Sequence, residues 1–123
     1  GLHYKVPFFQ TAHIIKKYKI RKCEFNSSSH KNFKAIVMWN VSNSTNFFLF
    51  SRDKKKQETE NILISKTEEA MNSISGSIIS QIALGQEKNP QYTDKNSSII
   101  TEHLQSSVKK MGINIYFIVY QRN

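Results

Sequence analysis

The sequence has little of the residues that small domains use to build a covalent framework. Its 123 residues include one cysteine, two prolines and four glycines. A single cysteine, Cys23, excludes an intramolecular disulfide framework and a multi-cysteine metal site. No apolar run approaches the roughly 20 residues that a membrane-spanning helix needs, and the first residues lack the charged-then-apolar pattern of a signal segment. These absences predict a soluble protein of a reducing compartment, the cytoplasm and also the nucleus.

Groups that carry catalysis are equally sparse. The glycines are isolated from one another, which leaves no phosphate-binding loop. The four histidines are His3, His13, His30 and His103. None has the spacing of a metal ligand relative to another ligating residue, and the nine acidic residues form no paired constellation. We expect Cys23 to be a buried structural thiol, and we expect no catalytic activity, no metal and no cofactor.

Negative charge is scarce in the first half of the chain. Residues 1–56 contain twelve Lys and Arg and two acids, whereas residues 57–123 contain six and seven, so the net charge of +9 resides in the first half. Such an asymmetry is typical of a surface for nucleic acid, an anionic membrane or an acidic protein. The chain is also rich in Lys, Asn, Ile and Ser, as A/T-rich coding produces. The charge alone leaves a ligand-binding surface and a solvated one equally open.

The first half of the chain has strand patterns. Thr11–Phe25 changes the parity of its apolar residues, which predicts a long strand with a bulge near Arg21 or Lys22. Phe33–Val41 is apolar on both faces and predicts a central strand. Phe47–Phe50 predicts the next strand, joined to the central one as a hairpin.

The second half predicts helix, strand, helix and strand. In order, these are a helix that begins near Thr59 or at Ser65 and ends at Gly76, the strand Ser77–Leu84, the helix Ser97–Met111 and the strand Ile113–Tyr120. The first of these strands is predicted to be half-buried, with Ile78, Ser80, Ile82 and Leu84 on one face and Ile79, Gln81 and Ala83 on the other. The second helix has an apolar stripe and is closed by Gly112. Simple alternation in the last strand assigns Ile113, Ile115, Phe117 and Val119 to one face and Tyr116, Ile118 and Tyr120 to the other.

The element order β-β-β-α-β-α-β predicts an α+β domain. Consecutive, hairpin-linked strands favour a mainly antiparallel sheet, and two amphipathic helices would pack on it. The length predicts a single domain over residues 1–123, with an N-terminal arm at residues 1–10 and a folded core at residues 11–121. Aromatic residues occur on both faces of adjacent predicted strands, so the second face needs a helix layer or a partner subunit.

The residue order in the middle of the chain resembles a known family. Ala70-Met71-Asn72-Ser73, followed by Ser77-Ile-Ile-Ser-Gln-Ile-Ala-Leu-Gly85, is similar to the central helix and strand of the proteasome assembly chaperone 4 family. Ile36-Val-Met-Trp39 and Phe47-Phe-Leu-Phe50 resemble that family's two hairpin strands. The Ser-led helix and the aromatic last strand continue the likeness, which covers about residues 33–121.

The resemblance implies a small, non-catalytic chaperone. Members of the family pair with a proteasome assembly chaperone 3-like subunit and promote assembly of the 20S proteasome α-ring. On this interpretation the residues predicted to lie at or near the subunit interface are Phe48, Phe50, Tyr116 and Tyr120. The residues predicted to face an acidic patch on an α-type subunit are Lys16, Lys17, Lys19, Arg21 and Lys22.

Two other functions remain open from the sequence. The basic N-terminal strands, which interleave Tyr18 with lysines, could bind nucleic acid by phosphate contacts and base stacking. Helix, loop, helix and aliphatic strand is also the order in dynein light chains of the Tctex type. That family places its strands mainly after its two helices, whereas here three strands are predicted before them.

Overall fold

The computed structural model describes residues 19–123. Within this range the elements are β1 (Arg21–Asn26), β2 (Phe33–Val41), α1 (Ser44–Ser51), α2 (Lys56–Asn72), α3 (Gly76–Lys88), α4 (Lys95–Val108), a 3-10 turn (Lys109–Met111) and β3 (Ile113–Arg122). The strands form an antiparallel sheet in the order β1-β2-β3. An antiparallel sheet with helices agrees with the predicted fold class, whereas the element order β-β-α-α-α-α-β differs from the predicted one.

The core lies between the helices and one face of the sheet. Successive side chains of a strand point to opposite faces, and every second residue of β2 from Phe33 to Trp39 is buried. Leu63 of α2, Ile82 of α3 and Leu104 of α4 belong to the same buried cluster. Three helices therefore cover the sheet face on which that cluster forms.

Three predicted elements are confirmed. The central strand has the predicted bounds of β2, and the last strand begins at Ile113 as predicted. The last helix begins at Lys95, two residues before the predicted start, and continues through the 3-10 turn to Met111. Gly112 ends it with φ of 73°, the left-handed conformation that closes many helices.

The predicted strand Phe47–Phe50 is wrong, because these residues lie in α1. The Asn43 side chain accepts a hydrogen bond from the Asn46 N–H at 3.0 Å, which caps the helix. Phe47 packs on Trp39, with ring centroids 5.9 Å apart. A run of four apolar residues is about one helical turn, so its hydrophobicity does not separate a strand from a helix.

The predicted strand Ser77–Leu84 is also wrong, because the segment lies in α3. Its buried residues are Ile79, Ile82, Ala83 and Gln86. They follow the i, i+3, i+4, i+7 spacing of a helical face. Gly85 does not end the helix. It lies under Tyr92, where a Cβ would come within 2.5 Å of the ring.

At the N-terminal side of the sheet the structure corrects one prediction, the bulge near Arg21 or Lys22. The part of the predicted strand before residue 19, and the arm at residues 1–10, lie outside the described residues. The register of β1 with β2 is uninterrupted from Arg21 to Asn26, so the predicted bulge is not there. The irregularity lies instead between Met38 and Trp39 in the pairing of β2 with β3.

Helix α2 begins at Lys56, earlier than either predicted start. It is fastened to the β1–β2 loop by Glu68, whose carboxylate accepts hydrogen bonds from the Ser28 N–H at 2.9 Å and the Ser29 hydroxyl at 2.7 Å. These hydrogen bonds hold the β1–β2 hairpin against α2.

Candidate interaction surfaces

The sheet face that points away from the helices is apolar over β2 and β3; we call it the outer face. Its apolar residues are Ile36, Met38, Tyr116, Phe117 and Val119. Tyr116 is 59% exposed, and the other four are half-buried. None of the five belongs to the hydrophobic core cluster or packs against it within the described residues. The outer face is therefore an apolar surface separate from the core.

A bulge in β3 forms this surface. Met38 pairs with Phe117 and Trp39 pairs with Ile115, which leaves Tyr116 as an extra residue. Because Ile115 and Ile118 are both buried, the two aromatic residues between them lie on the outer side. Beyond the bulge, the residues of β3 lie on the faces opposite to those that simple alternation predicts. Ile118 and Tyr120 therefore join Ile113 and Ile115 in the core.

The loop between α3 and α4 borders the outer face. Pro90 and Gln91 form one wall of an open groove of about 640 Å³, and Met38, Tyr116, Phe117 and Val119 are among its lining residues. The volume of the groove lies within the 300–1,000 Å³ range of small-molecule pockets. The groove can take an apolar side chain of a partner.

A second surface, the basic cleft, lies between the start of β1, α1 and the first turn of α2. Its volume is about 530 Å³. The cations that line it are Lys19, Arg21, Lys22, Lys54 and Lys56, and Glu60 is the one acid among its described lining residues. Of these cations, Lys54 pairs with Asp53 at 3.2 Å, and the other four have no ion pair within residues 19–123.

Aromatic rings hold two of these cations in place. The Arg21 guanidinium lies over Trp39 and Phe47, with Cζ 5.2 and 5.4 Å from the ring centroids. The Lys54 Nζ lies 4.6 Å from the centroid of the Phe50 ring and donates to the Phe50 carbonyl at 2.8 Å. Cation–π contacts restrict the side chains and leave their charge available to an anion.

Within residues 19–123, the side chains of Cys23 and His30 are held by burial and by contacts with the backbone. Cys23 is buried, as predicted. Burial, and to a lesser extent the nearby Glu60 charge, raise the pKa of its thiol to about 11. A thiol with so high a pKa is a poor nucleophile at neutral pH. His30 Nε2 lies 3.1 Å from the Met71 carbonyl oxygen, and residues 19–123 contain no group of three or more His, Cys, Asp or Glu that could hold a metal ion.

The four predicted interface aromatics fall in different places. Phe48 is 63% exposed on α1, and Tyr116 is exposed on the outer face. Phe50 is half-buried under Lys54. Tyr120 is 2% exposed and lies in the core, where burial raises the pKa of its phenol well above the usual value. The prediction that Tyr120 contacts a partner is therefore corrected, because the β3 bulge turns it inward.

Of the five predicted basic residues, three lie within the described residues and two lie outside them. Lys19, Arg21 and Lys22 line the basic cleft. Lys16 and Lys17 lie outside the described residues. Lys54 and Lys56, which were not predicted as site residues, line the same cleft together with Phe47 and Ser51 of α1. Sequence reasoning also missed Met38 as a surface residue, because a strand that is apolar on both faces is usually covered on both.

No family model and no curated protein matches the sequence of this chain. None of the helices in the range 19–123 combines the length and apolar character needed to cross a membrane.

Proposed function

We propose that this chain is a non-catalytic binding subunit whose outer face packs against a second protein. The observation that carries the proposal is the apolar outer face itself, formed by four half-buried side chains and the exposed Tyr116, none of which belongs to the described core cluster. Apolar side chains clustered on one side of a small domain are typical of a protein–protein interface. Tyr, Phe and Met, which supply three of its five side chains, are enriched at interfaces.

The partner and process that we propose come from the family resemblance. The chain would pair with a proteasome assembly chaperone 3-like subunit and promote assembly of the 20S proteasome α-ring in the cytoplasm and the nucleus. The segments 47–50 and 77–84, which contributed to the likeness as strands, are helices. What supports the proposal is the residue likeness around Ala70-Met71 and in β2 and β3, together with the outer face.

The proposal is tested by reconstitution with a designated partner. The chain is mixed with the chaperone 3-like subunit of the same genome, and the mass of the complex is measured by light scattering, with purified α-type subunits added in a second step. We expect a 1:1 complex that binds an α-type subunit. The double variant Met38→Glu with Phe117→Glu should weaken pairing at least about 100-fold, because an interface would bury two unpaired charges at about 3 kcal/mol or more.

The control variant is Ile99→Glu, since Ile99 is an apolar residue on α4 that is 42% exposed and is not one of the five residues of the outer face. It should pair like the wild type. Two monomers at all concentrations would contradict the proposed partner, and equal pairing of all three chains would contradict the proposed surface.

Nucleic-acid binding is the second candidate, because four cations of the basic cleft have no ion pair in the described chain. The two aromatic rings that line the basic cleft are poor platforms for bases, since Trp39 is 4% exposed and Arg21 lies over both Trp39 and Phe47. Phosphate contacts would make affinity for single-stranded RNA fall on the order of 10³-fold between 50 and 200 mM salt if six or more are made. Weak binding that does not depend on salt would exclude this candidate.

A further inference from the structure

The two edge strands of the sheet, β1 and β3, differ in the hydrogen bonds that their outward-pointing backbone groups make. On β3, the Gln86 amide donates to the Ile118 carbonyl at 3.0 Å and accepts from the Tyr120 N–H at 2.8 Å. The Gln105 amide does the same for the Ile113 carbonyl at 3.0 Å and the Ile115 N–H at 2.8 Å. Two glutamine side chains thus take four of the hydrogen bonds that a neighbouring strand would make along this edge.

On β1 the edge is open within the described chain. The Ser27 N–H donates to the Phe33 carbonyl at 2.9 Å, and the register shows that odd-numbered residues of β1 bond to β2. The backbone N–H and C=O groups of Lys22, Glu24 and Asn26 therefore point away from the sheet. No hydrogen bond from another residue of the range 19–123 reaches them.

The charge around this edge indicates the chemistry of what it binds. The basic cleft lies at the start of β1, and its cations Lys19, Arg21, Lys22 and Lys56 have no ion pair in the part of the chain that the structure describes. The acid on the strand, Glu24, is already paired with Lys34. A second copy of the chain would bring another net charge of +9 to the edge. An acidic segment would instead neutralise it.

We propose that β1 accepts an extended acidic segment of a partner protein as an added fourth strand. The segment's backbone would bond to the outward N–H and C=O groups of Lys22, Glu24 and Asn26, and its carboxylates would bind the cations of the basic cleft. Main-chain hydrogen bonds give affinity in this binding mode, and side-chain pockets give specificity. Arg21, held over two aromatic rings, supplies a pre-oriented fork for one carboxylate. This site is separate from the outer face and goes beyond the proposed function.

The test uses the full chain and a synthetic acidic peptide. Fluorescence anisotropy measures binding of labelled Glu-Val-Asp-Thr-Glu-Val-Asp-Thr and of the same peptide methylated on alternate backbone nitrogens. The two peptides carry the same charge, but the methylated one cannot complete a strand ladder. We expect methylation to weaken binding at least about tenfold, the loss of one to two net hydrogen bonds. Equal binding of both peptides would overturn the proposal, since charge alone would then explain it.

Variants locate the site. Arg21→Glu with Lys54→Glu should weaken peptide binding at least about tenfold. Lys31→Glu with Lys95→Glu, which changes two exposed lysines elsewhere and alters the net charge equally, should weaken it less than about twofold at 150 mM salt. Equal losses in the two variants, or tighter binding of a ten-nucleotide oligothymidylate than of the peptide, would overturn the proposal. The outer-face variant Met38→Glu with Phe117→Glu should bind the peptide like the wild type, so failure of the proposed function and failure of this inference remain distinguishable.

Discussion

Gly112 is the residue on which the turn between α4 and β3 depends. Its φ is 73°, and a Cβ there would lie 2.3 Å from the Asn43 carbonyl oxygen and 2.6 Å from the Phe47 nitrogen. Both atoms belong to the backbone, so they cannot move without displacing the start of α1. We expect Gly112→Ala to lower the free energy of unfolding by more than about 2 kcal/mol, the left-handed penalty plus this clash.

The matched control is Gly76→Ala, whose Cβ would meet His30 Nδ1 at an ordinary 3.7 Å. This change should alter the free energy of unfolding by less than about 1 kcal/mol. Urea denaturation of the two variants measures the difference. A Gly112→Ala chain as stable as the wild type would contradict the described turn.

Cys23 makes the stability of the chain depend on alkaline pH. Its pKa is raised from 9.0 to about 11 in the folded state. The unfolded chain therefore loses this proton first as the pH rises, and stability falls between pH 9 and 11. The thiol's contribution is complete below pH 9, and the loss approaches about 3 kcal/mol at pH 11.

The measurement compares the wild type with Cys23→Val over pH 8 to 11 by urea denaturation. The wild-type free energy of unfolding should fall more steeply, because the valine variant has no thiol to ionise. Parallel curves would show that the thiol titrates normally in the folded chain.

Single residues were predictable where one local rule decides their position. Gly112 closes a helix as expected, and Cys23 is buried as expected. Tyr120 was not predictable, because simple alternation along β3 is broken by the bulge at Tyr116. An extra residue in one strand changes the face of every residue beyond it, and the sequence carries no local mark of that bulge.

At the scale of elements, Gln86, which bonds to the β3 edge, has a large predicted effect. Gln86→Leu would leave the buried Ile118 carbonyl and Tyr120 N–H without their partner. An unsatisfied buried polar group costs about 1–3 kcal/mol, so we expect a loss of about 2–5 kcal/mol in the free energy of unfolding. Gln81→Leu, an exposed position on the same helix, should change it by less than about 1 kcal/mol. Similar urea midpoints for the two variants would contradict the role of Gln86.

An element could be predicted where its length and its residue types both indicated the same secondary structure. β2 has nine residues, is rich in β-branched and aromatic side chains, and was found with its exact bounds. α3 is predicted as a strand because Ile78, Ile82 and Leu84 share one parity, although Ile79, Ile82 and Ala83 also have helical spacing. Gln86 distinguishes the two interpretations, since it extends the helical face past Gly85. Its burial reflects its bonds to β3, a tertiary contact that no local window contains.

At the scale of the whole molecule, the chain separates two surfaces of different character. The apolar outer face lies over β2 and β3, and the basic cleft lies at the start of β1. The sequence indicates both surfaces, one by the two-sided apolar pattern of β2 and the other by the charge of the first half. It could not assign the residues of either, because the outer face depends on a bulge and the cleft depends on a helix that was predicted as a strand.

We propose that a partner buries the outer face, and cysteine footprinting measures whether it does. In a Cys23→Val background, Val119→Cys on the outer face and Ile99→Cys on α4 each provide one reactive thiol. Their maleimide labelling rates are measured for the chain alone and after addition of the chaperone 3-like subunit. We predict that the partner slows labelling at position 119 at least about tenfold, because an interface core excludes solvent, and leaves position 99 unchanged. Equal rates at position 119 with and without the partner would contradict the claim.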